Sequence, residues 1–466
     1  MESKLVPGSF RDPKGHVYIK DRRVFRTITS HGLRDFQAVK ETGILNQLVD
    51  EGLLAPWREV SNIDLGGAEE TAEIILEHDR IEFISYPYEW SFSGLKAAAL
   101  LHLEVQLKAL AKGVTLSDAS AYNVQFINSK PVFIDHLSFR PYTEGEFWVG
   151  HDQFCRQFLN PLLLRSNFSI QHNEWFRGGL EGISTSALSA LLPWHAWLKP
   201  HTLIHVKLPA LFERLALRKQ SKNIESRGKT TKLPRQSFKN MLLSLKSAIE
   251  RQNLKGEHVT VWSTYTTTTS YDDAEAELKK AFIANFADKT KPNMLWDIGC
   301  NTGEYATIAL KAGAKNSIGF EFDSGALEAA FARAISEDLP LLPLYLDAAN
   351  PSPSQGWGQK ERDGFAQRRC ADGVIALAVI HHLCIGKNIP IQEAISWLMS
   401  LAPQGVIEFV PKKDLKVKEL LRFREDIFDD YNWQTFKDEI LKNAEIIKSE
   451  EITDNGRQLV WYSRKP

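Results

Sequence analysis

The sequence predicts an α/β chain in two parts: a doubly wound, mostly parallel sheet that ends in an antiparallel hairpin, preceded by a separate α+β domain. Three observations predict this. Past Asn293, short apolar runs meet acids at positions 297, 321, 347 and 372, steps of 24, 26 and 25 residues, about the length of one strand, one helix and their loops. Asp454-Asn455-Gly456 separates "EIIKSEEI" from "RQLVWYSR", a tight-turn signal between antiparallel neighbours. Between Arg218 and Lys239 there are eight Lys or Arg, one Glu and few large apolar side chains, which reads as a boundary. The expected division is an α+β domain over 1–217, a basic linker with a connecting helix over 218–256, and the sheet domain over 257–466.

The totals limit what the chain can be. Its 466 residues exceed a single core, and 43% hydrophobic with 25% charged residues describe an ordinary globular protein. A net charge of -1 argues against a globally basic nucleic-acid binder. The four cysteines, Cys155, Cys300, Cys370 and Cys384, show no CxxC and no ligand-like His spacing, so neither a disulfide framework nor a zinc site is expected. Met1 to Phe10 lacks the apolar core of an export signal, and the apolar stretch Gly94 to Ala111 is broken by Lys96, His102, Glu104, Gln106 and Lys108, too polar for a membrane span. A soluble, cytoplasmic protein is expected; the oligomeric state is not legible.

In the N-terminal half, "HVYIKD" and "VFRTIT" read as paired strands, and "LRDFQAVKETGILNQLVDEG" as one helix. "RIEFISYPYEW" reads as a strand entering a hinge, and "SFSGLKAAALLHLEVQLKALAKG" as a long helix. Then "LSDASAYNVQFINSKPVFIDHLSF" places Asp118 five residues before Asn123 and Asp135 after the apolar run Val132 to Ile134. This order and spacing resemble the protein-kinase-like fold. The resemblance implies Asp118 as the base that receives a substrate proton, and Asn123 with Asp135 as magnesium ligands beside ATP. The chain departs from that pattern: it has no GxGxxG loop, Ser117 precedes Asp118, and the strand lysine would be Arg26 or Lys20. The plain structural reading is that Asp118 and Asp135 cap turns.

In the C-terminal half, "NMLWDIG", "SIGFEFD", "LPLYLDA", "ADGVIALAVIHHL" and "GVIEFV" read as five strands, and "YNWQTFKDEILKNA" as a helix before the terminal hairpin. Ligands of open parallel sheets sit beyond the carboxyl ends of the strands, so Asp297, Glu321 and Asp347 should gather at one crevice. A dinucleotide site would need GxGxxG against a pyrophosphate. Here Asp297, Gly299, Cys300, Asn301 and Gly303 form DxGxxxG, in which a carboxylate repels phosphate and accepts from an ammonium, while the glycines let backbone approach a ligand. Glu321 is placed to accept both ribose hydroxyls.

An amino-acid cation, a ribose, an adenine and no phosphate describe S-adenosylmethionine (SAM), and this half resembles the class I SAM-dependent methyltransferases, with their Rossmann-like sheet and terminal antiparallel hairpin. The resemblance implies that Asp297, Gly299 and Gly303 hold the methionine part, Glu321 the ribose, with Asp323 as the alternative, and Asp347 the adenine amine. The middle glycine of the commoner pattern is Asn301. Methyl transfer needs mainly proximity and orientation, with His381 or His382 as a base where a proton must leave. Glu408 points either to the pocket or to a helix-facing partner. Trp262, Tyr265 and Tyr271 would cover the cofactor or pack in the core. No NPPY-like element follows strand four, which argues against a DNA amine.

As a whole, with "DASAYNVQF" and "FID" ahead of the sheet domain, the chain resembles nodulation NoeA-type bacterial methyltransferases. This implies a small-molecule, glycan or lipid-linked acceptor, bound or presented by the N-terminal domain. The alternatives are a bifunctional or ATP-regulated enzyme using Mg-ATP, and a non-catalytic SAM-binding scaffold.

Overall fold

The computed structural model describes residues 3–194, 198–211, 232–254 and 273–465. Trp262, Tyr265, Tyr271 and most of the basic boundary segment lie outside the described residues. The chain divides into two units, residues 1–255 with 354–363, and residues 256–353 with 364–466.

In the first unit, strands β1 (Lys4–Leu5), β2 (Val17–Lys20), β3 (Arg23–Ile28), β4 (Trp57–Val60) and β5 (Ile74–His78) form an antiparallel sheet in the order β1-β2-β3-β5-β4. The expected strand pair is β2 and β3, joined by Asp21 and Arg22 in positive-φ conformations. The one helix expected after β3 is two, Ser30–Glu41 and Ile44–Asp50, because Gly43 at φ 72° breaks the run. "RIEFISYPYEW" is not a strand, a further correction. The sheet takes Ile74–His78 just upstream, while Pro87 lacks a ladder donor and Tyr86, Tyr88 and Trp90 are buried.

The helix Phe92–Ala111 starts where the Ser91 hydroxyl accepts from the Gly94 amide at 3.0 Å. It carries almost no amphipathic stripe because Leu95, Ala98, Ala99, Leu103 and Val105 are all buried. After it come β6 (Val114–Leu116), the hairpin β7 (Val124–Ile127) with β8 (Lys130–Phe133), and β9 (Phe139–Pro141) paired with β6. The helix Arg235–Glu250 belongs to this unit and packs on Phe92–Ala111, with Lys246 2.7 Å from Glu104. Residues 354–363 also pack here: the Arg362 guanidinium lies 4.2 Å from the Tyr122 ring centre, and Glu361 pairs with Arg11 at 2.9 Å.

The second unit is built on β10 (Met294–Ile298), β11 (Asn316–Glu321), β12 (Leu341–Tyr345), β13 (Gly373–Ala376), β14 (Gln404–Phe409), β15 (Ala444–Glu451) and β16 (Gln458–Arg464), in the order β12-β11-β10-β13-β14-β16-β15. The first five strands in this order are parallel, and β16 lies antiparallel to both β14 and β15. β12 and β13 are buried along their whole length, as strands covered on both faces must be. The helix Asp273–Thr290 buries Phe282, Ile283 and Phe286 in the same core as Leu295, Ile375, Val406 and Leu459. The terminal hairpin is closed by a wider turn than the Asp-Asn-Gly signal implied. Ile452 N donates to Arg457 O at 2.9 Å, with Gly456 at φ 82° inside the loop. Among the described residues, no helix is long and apolar enough to cross a membrane.

Candidate active site

The parallel strands of the second unit end around a cavity of about 620 Å³. Its position follows from chain order: β11 and β13 flank β10, so the chain leaves β10 to one side and reaches β13 on the other, which opens a crevice past their carboxyl ends. Asp297, Gly299, Cys300, Asn301, Glu321 and Asp347 all line it. Gly303 lies one residue further on, as the N-cap of the helix Glu304–Lys311, at φ 75°.

The turn after β10 is determined by backbone. Gly299 and Cys300 donate to the Phe320 carbonyl at 2.8 and 3.0 Å. Gly299 has φ 74°, and a Cβ there would stand 2.6 Å from Val379 Cγ2. Any larger residue would be strained and would collide with the opposite wall. Asn301, also at positive φ, uses its side-chain oxygen to accept from Thr302 N at 2.8 Å, so the asparagine that replaces the usual glycine stabilises its own turn.

The acids differ in how they are satisfied. Glu321 accepts from Asn301 N at 2.7 Å, Phe322 N at 2.8 Å and Asp323 N at 2.7 Å, yet burial pushes its carboxyl up to about 7 against those bonds. Asp323 caps the helix Ser324–Ser336 through Ala326 N at 2.8 Å, so of the two candidate ribose acids Glu321 is the one on the strand end. Asp347 accepts from Ala349 N at 3.0 Å. Asp297 is 2% exposed and its Oδ2 has no hydrogen-bond partner. Burial first, and the Glu321 charge second, push its carboxyl up to about 8, with Lys279 opposing. A buried acceptor of this kind costs free energy until a donor meets it, and a cationic amine is the donor that also restores the charge.

Of the residues expected to do acid–base work, only His382 lines the cavity. Burial, with Lys416 and Arg457 nearby, lowers it to about 4, so its imidazole is neutral at physiological pH. His381 is a correction: it is fully buried behind its neighbour, with both ring nitrogens unpartnered and the ring centres 4.1 Å apart. Glu408 is a second correction. It turns to a helix-facing partner, bonding Lys279 Nζ at 2.7 Å and Arg457 Nη1 at 3.2 Å, and Arg457 in turn pairs with Asp414 at 2.8 Å, all buried. Lys279 lies on the cavity wall and was missed in the sequence. Its helix precedes the first strand, and only the fold pairs it with Glu408.

In the first unit, Asp118, Asn123 and Asp135 do converge. Asp118 accepts from Asn123 Nδ2 at 3.0 Å and from the Ser138 hydroxyl at 2.7 Å. Burial and the charge of Asp135 push Asp118 up to about 6. Asp135 bonds Arg26 Nη1 at 2.7 Å and caps Leu137 N at 3.2 Å. The carboxylate read as a magnesium ligand therefore already has a side-chain cation, supplied by the residue read as a substitute for the strand lysine.

A parallel sheet with a terminal antiparallel strand pair, and an acid-lined cavity at its switch point, make the second unit a methyltransferase-like α/β fold. No family model matches the chain. The chain is 43% identical over 459 residues to nodulation protein NoeA of Rhizobium meliloti (strain 1021), covering 98% of this chain and 96% of that protein, and it belongs to that protein's family. Among solved structures, it is similar to magnesium protoporphyrin IX methyltransferase from Synechocystis PCC 6803 with bound SAH, at 16% identity over 41% of this chain and 84% of that one, TM-score 0.30. It is also similar to N-methyltransferase NodS from Bradyrhizobium japonicum WM9, at 10% identity over 42% and 99% of the two chains, TM-score 0.31. At these scores the likeness carries no weight of its own.

Proposed function

We propose that the second unit is a SAM-dependent methyltransferase acting on a small-molecule, glycan or lipid-linked acceptor, and that the first unit, of kinase-like fold, binds or presents that acceptor. The observation that supports this best is the buried, unpartnered Oδ2 of Asp297 on the wall of a cavity that also holds Glu321 and Asp347. Acids at the ends of successive strands suit a ligand with an ammonium, a ribose and an amine edge, and oppose a pyrophosphate.

When bound, SAM supplies a methyl group on a positively charged sulfur. In this reading Asp297 receives the methionine ammonium, and Lys279, held in place by Glu408, faces the methionine carboxylate. Glu321, fixed by three backbone amides, accepts from the ribose, and Asp347 accepts from the adenine amine. The backbone at Gly299 allows close approach. His382, neutral and at the cavity wall, orients the acceptor and takes a proton where the acceptor has one to lose. The chain's main contribution is orientation. The Asn123–Asp118 hydrogen bond and the Asp135 charge acting on Asp118 support the kinase-like reading of the first unit.

Isothermal titration calorimetry with SAM tests the proposal. Asp297→Ala and Glu321→Ala should each weaken binding at least about tenfold, roughly 1.4 kcal/mol, because each leaves ligand donors unpaired. Unchanged affinity in both folded variants would overturn the cofactor assignment.

A further inference from the structure

The first unit contains a second cluster of ligand-type side chains, unrelated to the acids around Asp118. His151 and Cys155 stand four residues apart, the cysteine at the start of a π-helical turn, Cys155–Leu159, that continues the helix His151–Phe154. His205 lies in another π-helical turn, Leu203–Lys207. Such turns are rare and recur at functional sites. His151 Nε2 and His205 Nδ1 are 3.1 Å apart, and Cys155 Sγ is 3.8 Å from the same His151 nitrogen. One ligand atom from each of the three residues lies within 4.8 Å of the others.

We propose that His151, Cys155 and His205 bind a zinc-class cation. The geometry is close to what a tetrahedral centre imposes. With Zn–N of about 2.0–2.1 Å and Zn–S of about 2.3 Å, the edges are about 3.3 Å for N···N and about 3.6 Å for N···S. The His151–His205 and His151–Cys155 edges, at 3.1 and 3.8 Å, differ from these by a few tenths of an ångström, and the third edge is within 4.8 Å. A purely structural cluster accounts for them less well. His151 Nε2 has either one hydrogen or one lone pair, so it can serve His205 or the Cys155 thiol but not both. A cation at the centre uses all three ligand atoms at once. His205 and Cys155 are each 1% exposed, and among the described residues His205 Nε2 has no partner, so there hydrogen bonding holds that ring through this cluster. Soft sulfur with two imidazoles selects zinc over magnesium or calcium, and three protein ligands leave a fourth position for water.

The site also has a structural consequence. The same helical segment supports the loop that carries Asp118: Gln153 Oε1 accepts from Ala119 N at 2.9 Å, and Gln157 Oε1 accepts from Ala121 N at 2.7 Å. A bound cation would fix this platform to the segment that carries His205.

The test uses the full chain, purified after exposure to zinc and freed of loose metal by gel filtration. Elemental analysis should find about one equivalent of zinc retained, falling below about a tenth in Cys155→Ala and in His205→Phe. Where either variant fails to fold, X-ray absorption on the zinc-loaded wild-type chain decides. A shell with one sulfur at about 2.3 Å and nitrogen at about 2.0–2.1 Å supports the site. No retained zinc in the wild-type chain, a shell without sulfur, or full retention in folded variants of both residues overturns it.

Discussion

The acids of the two units are buried or half-buried and sit at strand ends or turns, but they are balanced differently. In the first unit Asp135 is paired with Arg26, and Asp118 is bonded by Asn123 and Ser138, so the chain itself meets each carboxylate. In the second unit Glu408 and Asp414 are likewise met, by Lys279 and Arg457, yet Asp297, on the cavity wall, keeps an oxygen without a partner. Location alone does not distinguish structural acids from ligand-binding ones. An unpartnered, desolvated acid is what marks a candidate ligand site.

The sharpest way to break this comparison is to remove the internal balance. Arg457→Met would take one cation from Glu408 and leave Asp414 without its cation, both fully buried. Breaking a buried pair from one side costs about 3–5 kcal/mol, so denaturant unfolding of the variant should show a loss of that size. A loss within error would mean that these acids are as open as Asp297, and the contrast would fail.

A second, smaller effect is the pH dependence of the free protein. Asp297 is raised to about 8 from an ordinary value of 3.8, so between those values the folded chain holds a proton that the unfolded chain has released. Its contribution to stability is full below pH 4 and is lost as pH rises through 8. Glu321, raised to about 7, acts in the same direction. Buried imidazoles such as His102, lowered to about 3, act in the opposite direction below pH 6.5, so the window from pH 6.5 to 8 isolates the carboxyls. Across it the thermal midpoint should fall, and less steeply in Asp297→Asn. SAM affinity should rise over the same window, because the cation needs the ionised acid. Parallel slopes for the two proteins would show that Asp297 is already ionised.

How much of this was legible in the sequence follows the range of each interaction. The turn from Asp297 to Gly303 was readable because its determinants lie within seven consecutive residues: a strand end, two glycines at positive φ and a helix start. Glu321 and Asp347 followed from the period of strand and helix. Lys279 was not readable, since its meaning depends on Glu408, 129 residues away, and Glu408 could be assigned to neither side until the fold paired them. The misplaced strand near Pro87 has a similar cause. "EFISYPY" has strand-like composition, but Ile74–His78 holds the sheet position beside β3, and composition cannot show which of two neighbouring runs finds a partner. His151 and Cys155 stand at a helical i, i+4 spacing, but two residues do not make a metal site, and His205, the third member of the proposed cluster, lies 50 residues further along the chain.

The smallest expected effect tests the first unit's side of the comparison. Asp135→Asn keeps the shape of the side chain and its bond to Leu137 N, but removes the charge that faces Arg26. With both side chains mostly buried, at 13% and 20% exposure, the loss should be about 1 kcal/mol in an unfolding titration. SAM affinity should not change. Asp118 should also become easier to ionise, because Asp135 is one of the charges that raise it, although burial, the larger cause, remains. Calorimetry with Mg-ATP gives the opposing outcome a clear signature. If the wild-type chain takes up heat-producing, magnesium-dependent nucleotide and Asp135→Asn abolishes it, then Arg26 is a displaceable stand-in for a metal, and the first unit holds an open acid of the same kind as Asp297.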